Sequence, residues 1–205
     1  MEFTGFSEED FQVFSIAGLD ERMTAIKDRI QPKFREIGTY LTAELSAMVG
    51  NEMFLHIAKH ARRKVNPPKD TWLAIGPNKR GYKQFPHFQV GLFDDHVFLW
   101  LAYIYELPNK AQIADNLLNH MYEMKQLITN DFVVSTDHMN KNAISIQEID
   151  LEETLLRFKQ VIKAEFLLGR NIAKNDPVLN DGKQFLELAT STFKTLVPIY
   201  QMSFR

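Results

Sequence analysis

Between His56 and Lys83 the chain sets eight of its 24 lysines and arginines against one acid, Asp70, so this segment carries about +7 while the whole chain sums to −2. Guanidinium and ammonium groups at this density pair with phosphate or carboxylate oxygens. The imidazoles His56, His60 and His87 stand among them and can donate, accept or transfer a proton. Arg62, Arg63, Lys79, Arg80 and Lys83 are therefore the candidate anchors of an anion, with Tyr82 and His87 for stacking or hydrogen bonding and His56 and His60 beside them. Read as a helix, the run Glu52 to Arg63 puts Glu52, His56, Lys59, His60 and Arg63 on one arc and Phe54, Ile57, Ala58 and Ala61 on the other. Histidines at i and i+4 are a chelating spacing, but the surrounding cations disfavour a divalent ion, so no metal site is read here. The plainer account of the same arc is a solvated helix face whose cations complement the negative end of the helix dipole.

The loop Gly76–Lys83, GPNKRGYK, offers backbone amides and two cations to an anion. It is no phosphate-binding P-loop, because Tyr82 and Lys83 follow Gly81 where that motif needs Lys and Ser or Thr. The ordinary alternative is an exposed hairpin tip. Trp72, Tyr82, Phe85 and Phe88 interleave with Lys69, Lys79, Arg80 and Lys83, a mixture able to stack bases and hold the phosphates of a single strand, although strand aromatics more commonly fill a core. Asp95 next to His96 invites an acid and base reading, yet neighbours in a strand face opposite ways. Serines occur without a nucleophile elbow. The absence of cysteine removes disulfides, thiolate nucleophiles and thiolate-held metals. No cofactor is expected.

The elements that must position these groups are legible from periodicity. Ser7 caps a short helix opening with Glu8, Glu9 and Asp10 and carrying Phe11 and Phe14. Phe34, Ile37, Leu41, Leu45 and Met48 mark a helix with Pro32 in its first turn and Gly50 after its end, followed by the helical run 52–63, stopped at Asn66, Pro67 and Pro68. Thr71–Ile75, Phe88–Phe93 and His96–Tyr105 read as an antiparallel meander. The third strand, apolar at both parities, is placed centrally because both its faces must be covered. A helix follows over 109–129, then a hairpin of 132–136 and 143–147 around HMNKN. Asp150 and Glu153 open a helix whose stripe runs through Leu151, Leu155, Phe158, Ile162 and Phe166 to Gly169. After a loop, Phe185, Leu188, Phe193 and Leu196 mark a last helix ending near Pro198.

With 205 residues, 45% hydrophobic and 24% charged, the chain can bury one sizeable core and does not resemble disordered or collagen-like sequences. The expected architecture is a single α+β domain over residues 1–205, with a mainly antiparallel sheet packed against several helices. A net charge of −2 argues against a surface built as a whole for nucleic acid. The acidic start MEFTGFSEEDF lacks the basic and apolar regions of a secretory signal, and Val97–Tyr105 is too short to span a bilayer, so a cytoplasmic protein without membrane attachment is expected.

The run from His60 to Glu106, HARRKVNPPKDTWLAIGPNKRGYKQFPHFQVGLFDDHVFLWLAYIYE, resembles the signature region of the YktB-like family of bacterial proteins, with the NPP, RGYK and PHFQVGL segments in order. That resemblance implies a single α+β domain, a Gram-positive bacterial setting and no established activity, so no catalytic residue is carried over. The residues themselves favour a binding module for a small anionic ligand, or less directly for a single nucleic-acid strand. Two rivals stand beside it. One is an enzyme using His56, His60 or His87 as acid or base in a basic pocket; the other is a structural or protein-interaction domain with no ligand.

Overall fold

The computed structural model describes residues 3–205. Ser7 and Asp10 form a capping box at the start of α1 (Glu8–Gln12). A second helix, α2 (Leu19–Ala25), passes through one π-type turn into α3 (Gln31–Val49), which ends at Gly50 with φ 79°. The left-handed conformation at Gly50 reverses the chain at little steric cost. Strands β1 (Phe54–Ile57), β2 (Thr71–Gly76), β3 (His87–Leu92) and β4 (His96–Tyr103) follow. Next come α4 (Lys110–Asn119), α5 (Met121–Leu127), β5 (Val133–Ser135), β6 (Ile144–Ser145), α6 (Leu151–Gln160), β7 (Phe166–Ala173) and α7 (Gly182–Met202).

The seven strands form one antiparallel sheet in the order β1-β2-β3-β4-β7-β5-β6. Strand β4 lies in the middle, as its two apolar parities require, with all eight of its residues buried. The main core fills the helix-covered face. Leu73 and Ile75 of β2, Phe88 and Val90 of β3, and Leu99, Leu101 and Tyr103 of β4 meet Ile37, Leu41 and Leu45 of α3 and Phe193 and Leu196 of α7. A smaller cluster, with Trp72, Ala74, Phe98, Trp100, Ala102 and Leu167, occupies the other face. Among the described residues no helix is long and apolar enough to cross a membrane.

Four expectations are corrected. Residues 52–63 are not a helix: His56 pairs with Ala74 across the β1–β2 ladder, and His60 has a φ of 48°, incompatible with a right-handed helical turn. Leu55 and Ile57 pack toward the helices, so a two-residue alternation prevails over the helical arcs drawn through the same residues. The helix at 109–129 is broken at His120, whose φ of −106° and ψ of 15° leave the helical region. The helix from Asp150 stops at Gln160 and never reaches Gly169. Val161 is extended, the ammonium of Lys110 ties down the carbonyls of Val161, Ile162 and Ala164, and the residues from Phe166 onward, apolar on both parities, form a strand of the sheet interior. The last helix runs through Pro198 to Met202, because Leu196, Val197, Ile199, Tyr200 and Met202 are buried on either side and offset the lost backbone bond.

One pairing expectation also fails. Asp95 lies in the β3–β4 turn rather than in the pleat, and its Oδ1 comes within 2.6 Å of His96 Nδ1.

Candidate functional site

The face of the sheet away from the helices is covered by loops rather than by helices, and the basic residues gather there. Phe88 and Val90 point into the main core, so His87 and Gln89 on β3 point to this opposite face, as do His56 on β1 and Trp72 on β2. The β1–β2 connection (58–70) and the β2–β3 connection (77–86) fold over it. Trp72 is the hub. Its Nε1 donates to the Tyr82 hydroxyl at 3.0 Å, the His60 ring stands perpendicular to it at 5.5 Å, and the Lys83 ammonium lies over its face at 5.7 Å. Tyr82 in turn packs between His56 at 4.9 Å and His87 at 5.0 Å. A pocket of about 350 Å³ opens here, walled by His60, Arg62, Arg63, Trp72, Tyr82, Lys83 and Glu106.

The positive charges of this pocket come from Lys59, Arg62, Arg63 and Lys83, not from its imidazole. Burial, helped by Arg63 and Lys83, lowers the pKa of His60 to about 4, which leaves it neutral at neutral pH, with Nε2 3.1 Å from the Thr71 hydroxyl. His87 is fully buried and lowered to about 3. Its Nδ1–H donates to the Phe85 carbonyl, and its Nε2 accepts from the Gln89 amide, so one neutral tautomer is locked in place. His56 donates from Nε2 to the Asn78 carbonyl. Lys83 lies 3.6 Å from Glu106, a half-exposed pair of small energetic weight. Arg62 is exposed, Arg63 bonds the Asn66 carbonyl at 3.4 Å, and among the described residues neither is in an ion pair, although Arg63 lies near enough to Asp70 to favour its charged form.

Beside this wall lies Asp70, 1% exposed, its carboxylate without a hydrogen-bond partner outside its own residue. Burial raises its pKa to about 6 against the opposing pull of Arg63, His138, its own backbone amide and Lys83. The β5–β6 loop brings His138 edge-on to Trp72 at 6.1 Å, and Glu165, buried just before β7, lies within 2.8 Å of its Nδ1.

Comparison with known sequences places this geometry in a family. The model of the family described as "Domain of unknown function (DUF1054)" matches residues 6–200, nearly the whole chain. The chain belongs to the DUF1054 family. A UPF0637 protein of Oceanobacillus iheyensis is 56% identical over 199 residues, covering 97% of this chain and 96% of the relative. One from Shouchella clausii is 54% identical over 203 residues, 99% and 96% of the two chains, and one from Listeria welshimeri is 48% identical over 201 residues, 98% of each. The resemblance read from the NPP, RGYK and PHFQVGL segments is borne out.

Within this DUF1054 protein the residues singled out by sequence divide into three groups. His60, Arg62, Arg63, Tyr82 and Lys83 line one pocket, although 20 residues separate Arg63 from Lys83. His56 and His87 stand behind Tyr82 as its supports. Lys79 and Arg80 do not line the pocket; both are exposed, and Lys79 lies 5.4 Å over the Phe54 ring on edge strand β1, where a cation discourages pairing with another chain. The supposed chelating face of Glu52, His56 and His60 dissolves with its helix, since both imidazoles are held by internal hydrogen bonds. Sequence reasoning missed His138, taken for part of a polar turn, and Glu165, assigned to a helix. Asp70 carried a signal as the one acid of the basic segment.

Proposed function

We propose that this chain is a binding module for a small anionic ligand bearing a phosphate or carboxylate, held in the pocket between the 58–70 and 77–86 connections. The observation that carries the reading is convergence: Arg62 and Arg63 from one connection and Lys83 from the other face the same 350 Å³ space. A pocket of that volume suits a small molecule. A nucleic-acid strand would need a longer track of cations, and Lys79 and Arg80 lie outside it. Binding is favoured over acid–base chemistry because a ring nitrogen of His56 and of His60, and both ring nitrogens of His87, are spent on internal hydrogen bonds.

The test is calorimetric titration with inorganic phosphate, pyrophosphate, a nucleoside monophosphate and citrate at low and raised salt. The expected result is saturable binding of at least one probe that weakens as salt rises, with Arg63→Ala and Lys83→Ala each reducing affinity about tenfold or more at unchanged melting temperature. If all four probes fail to bind at low salt, or the variants bind as wild type does, the reading is wrong.

A further inference from the structure

A second constellation lies across Trp72 from the basic pocket, in a separate cavity of about 550 Å³ between the β5–β6 loop and the start of β7. Asp137, His138 and Glu165 each offer one ligand atom, all within 4.8 Å of one another. Glu165 is 3% exposed. Two backbone amides fix its carboxylate, His138 N–H at 2.7 Å and Tyr105 N–H at 3.5 Å, and the His138 Nδ1–H completes its shell at 2.8 and 2.9 Å from the two oxygens.

Three further facts make this more than an acidic corner. The first is charge. A buried carboxylate is costly unless a cation meets it, yet among the described residues no Lys or Arg pairs with Glu165. The nearby Lys110 spends its ammonium on three backbone carbonyls. The second fact is access: all three residues line the cavity of about 550 Å³, so an ion can reach them from solvent. The third fact is spacing. Donors about 2.1 Å from a tetrahedral metal lie about 3.4 Å apart, inside the 4.8 Å within which the three ligand atoms stand.

We propose that Asp137, His138 and Glu165 form a site for a transition-metal dication of the Zn²⁺ or Mn²⁺ kind. The mixed imidazole and carboxylate donors select such ions over Mg²⁺ and Ca²⁺, which prefer oxygen alone. On binding, the imidazole proton moves from Nδ1 to Nε2, and the metal replaces the Nδ1–H hydrogen bond to Glu165. The backbone amides on Glu165 then serve as the outer contacts that orient a metal-bound carboxylate. The cavity leaves the remaining coordination positions open, and Arg157 and Lys163 on its wall suit an anionic co-ligand. This site is independent of the anion pocket, and either can stand if the other falls.

Untagged, chelator-stripped protein is titrated calorimetrically with ZnCl₂, in parallel with following the His138 imidazole signals by NMR. One equivalent of Zn²⁺ is expected, with the His138 resonances moving in step. Asp137→Asn, at an exposed position that the core does not need, is expected to weaken binding about tenfold, and Glu165→Gln is expected to abolish it. Should Glu165→Gln fail to fold, Asp137→Asn and the NMR signals decide the matter. The proposal is overturned if wild type shows no saturable binding up to millimolar Zn²⁺, if Asp137→Asn binds as wild type does, or if the His138 signals stay still while Zn²⁺ binds elsewhere.

Discussion

At the scale of single residues, the site is governed by which charges the fold leaves unbalanced. Asp70 has a pKa of about 6 in the fold against 3.8 for the free side chain, so the folded chain holds this proton more tightly than the unfolded one. Its contribution to stability therefore falls as pH rises from about 3.8 to 6, and above that a penalty of about 3 kcal/mol persists. His60, lowered to about 4, acts in the opposite sense: the unfolded chain takes its proton first, and stability drains as pH falls from about 6.5 toward 4. The two slopes oppose each other across the same window. Asp70→Asn, neutral at every pH, is expected to gain up to about 3 kcal/mol over wild type near pH 8, the gain shrinking to nothing near pH 4. Urea unfolding of both proteins at several pH values measures this, and a difference independent of pH would refute it. None of these shifts is readable from residue type, because each arises from burial by segments distant in sequence.

At the scale of elements, the instructive case is Gly169. Near the end of an apolar helical stripe it reads as a helix terminator, whereas in the sheet it lies opposite Trp100 where β7 pairs with β4. A Cβ there would collide with the Leu99 carbonyl oxygen and press on the Trp100 ring at 3.0 Å. Neither backbone nor a buried indole can move aside cheaply, so Gly169→Ala is expected to cost about 2–3 kcal/mol, read as a lowered urea midpoint. A cost within a few tenths would show that the β4–β7 contact is looser than described. The misreading has a physical cause. Leu151, Leu155 and Phe158 are a true helical face, and Ile162 and Phe166 continue the spacing by coincidence, although Ile162 is 84% exposed. The same coincidence drew a helix through His56. Where the period was long and capped, as in α3 and the start of α6 with Asp150 accepting from the Glu153 amide, local reading and structure agree.

At the scale of the whole molecule, strand β4 ties the two faces together: Leu99 and Leu101 enter the helix-covered core, and Phe98 and Trp100 enter the loop-covered one. Both tryptophans, Trp72 and Trp100, report the loop-covered face, while far-ultraviolet circular dichroism reports the helices on the other. Because the faces share a strand, the two signals are expected to follow one coincident urea transition. A fluorescence transition well before the helical one would mean that the loop-covered face unfolds as a separate unit. The residues alone determined the α+β class, the capped helices, the central place of β4 and the charge of the 56–83 segment, since each follows from composition or from a period within one short stretch, and the NPP, RGYK and PHFQVGL segments in order carried the family resemblance. Tertiary structure alone decided that β7 inserts between β4 and β5, that residues 54–57 form an edge strand, that Arg63 and Lys83 line one pocket, and that His138 meets both Trp72 and Glu165. Those outcomes depend on which apolar faces cover one another across the sheet, a free energy shared among segments up to a hundred residues apart, with no trace in the local sequence of any one of them.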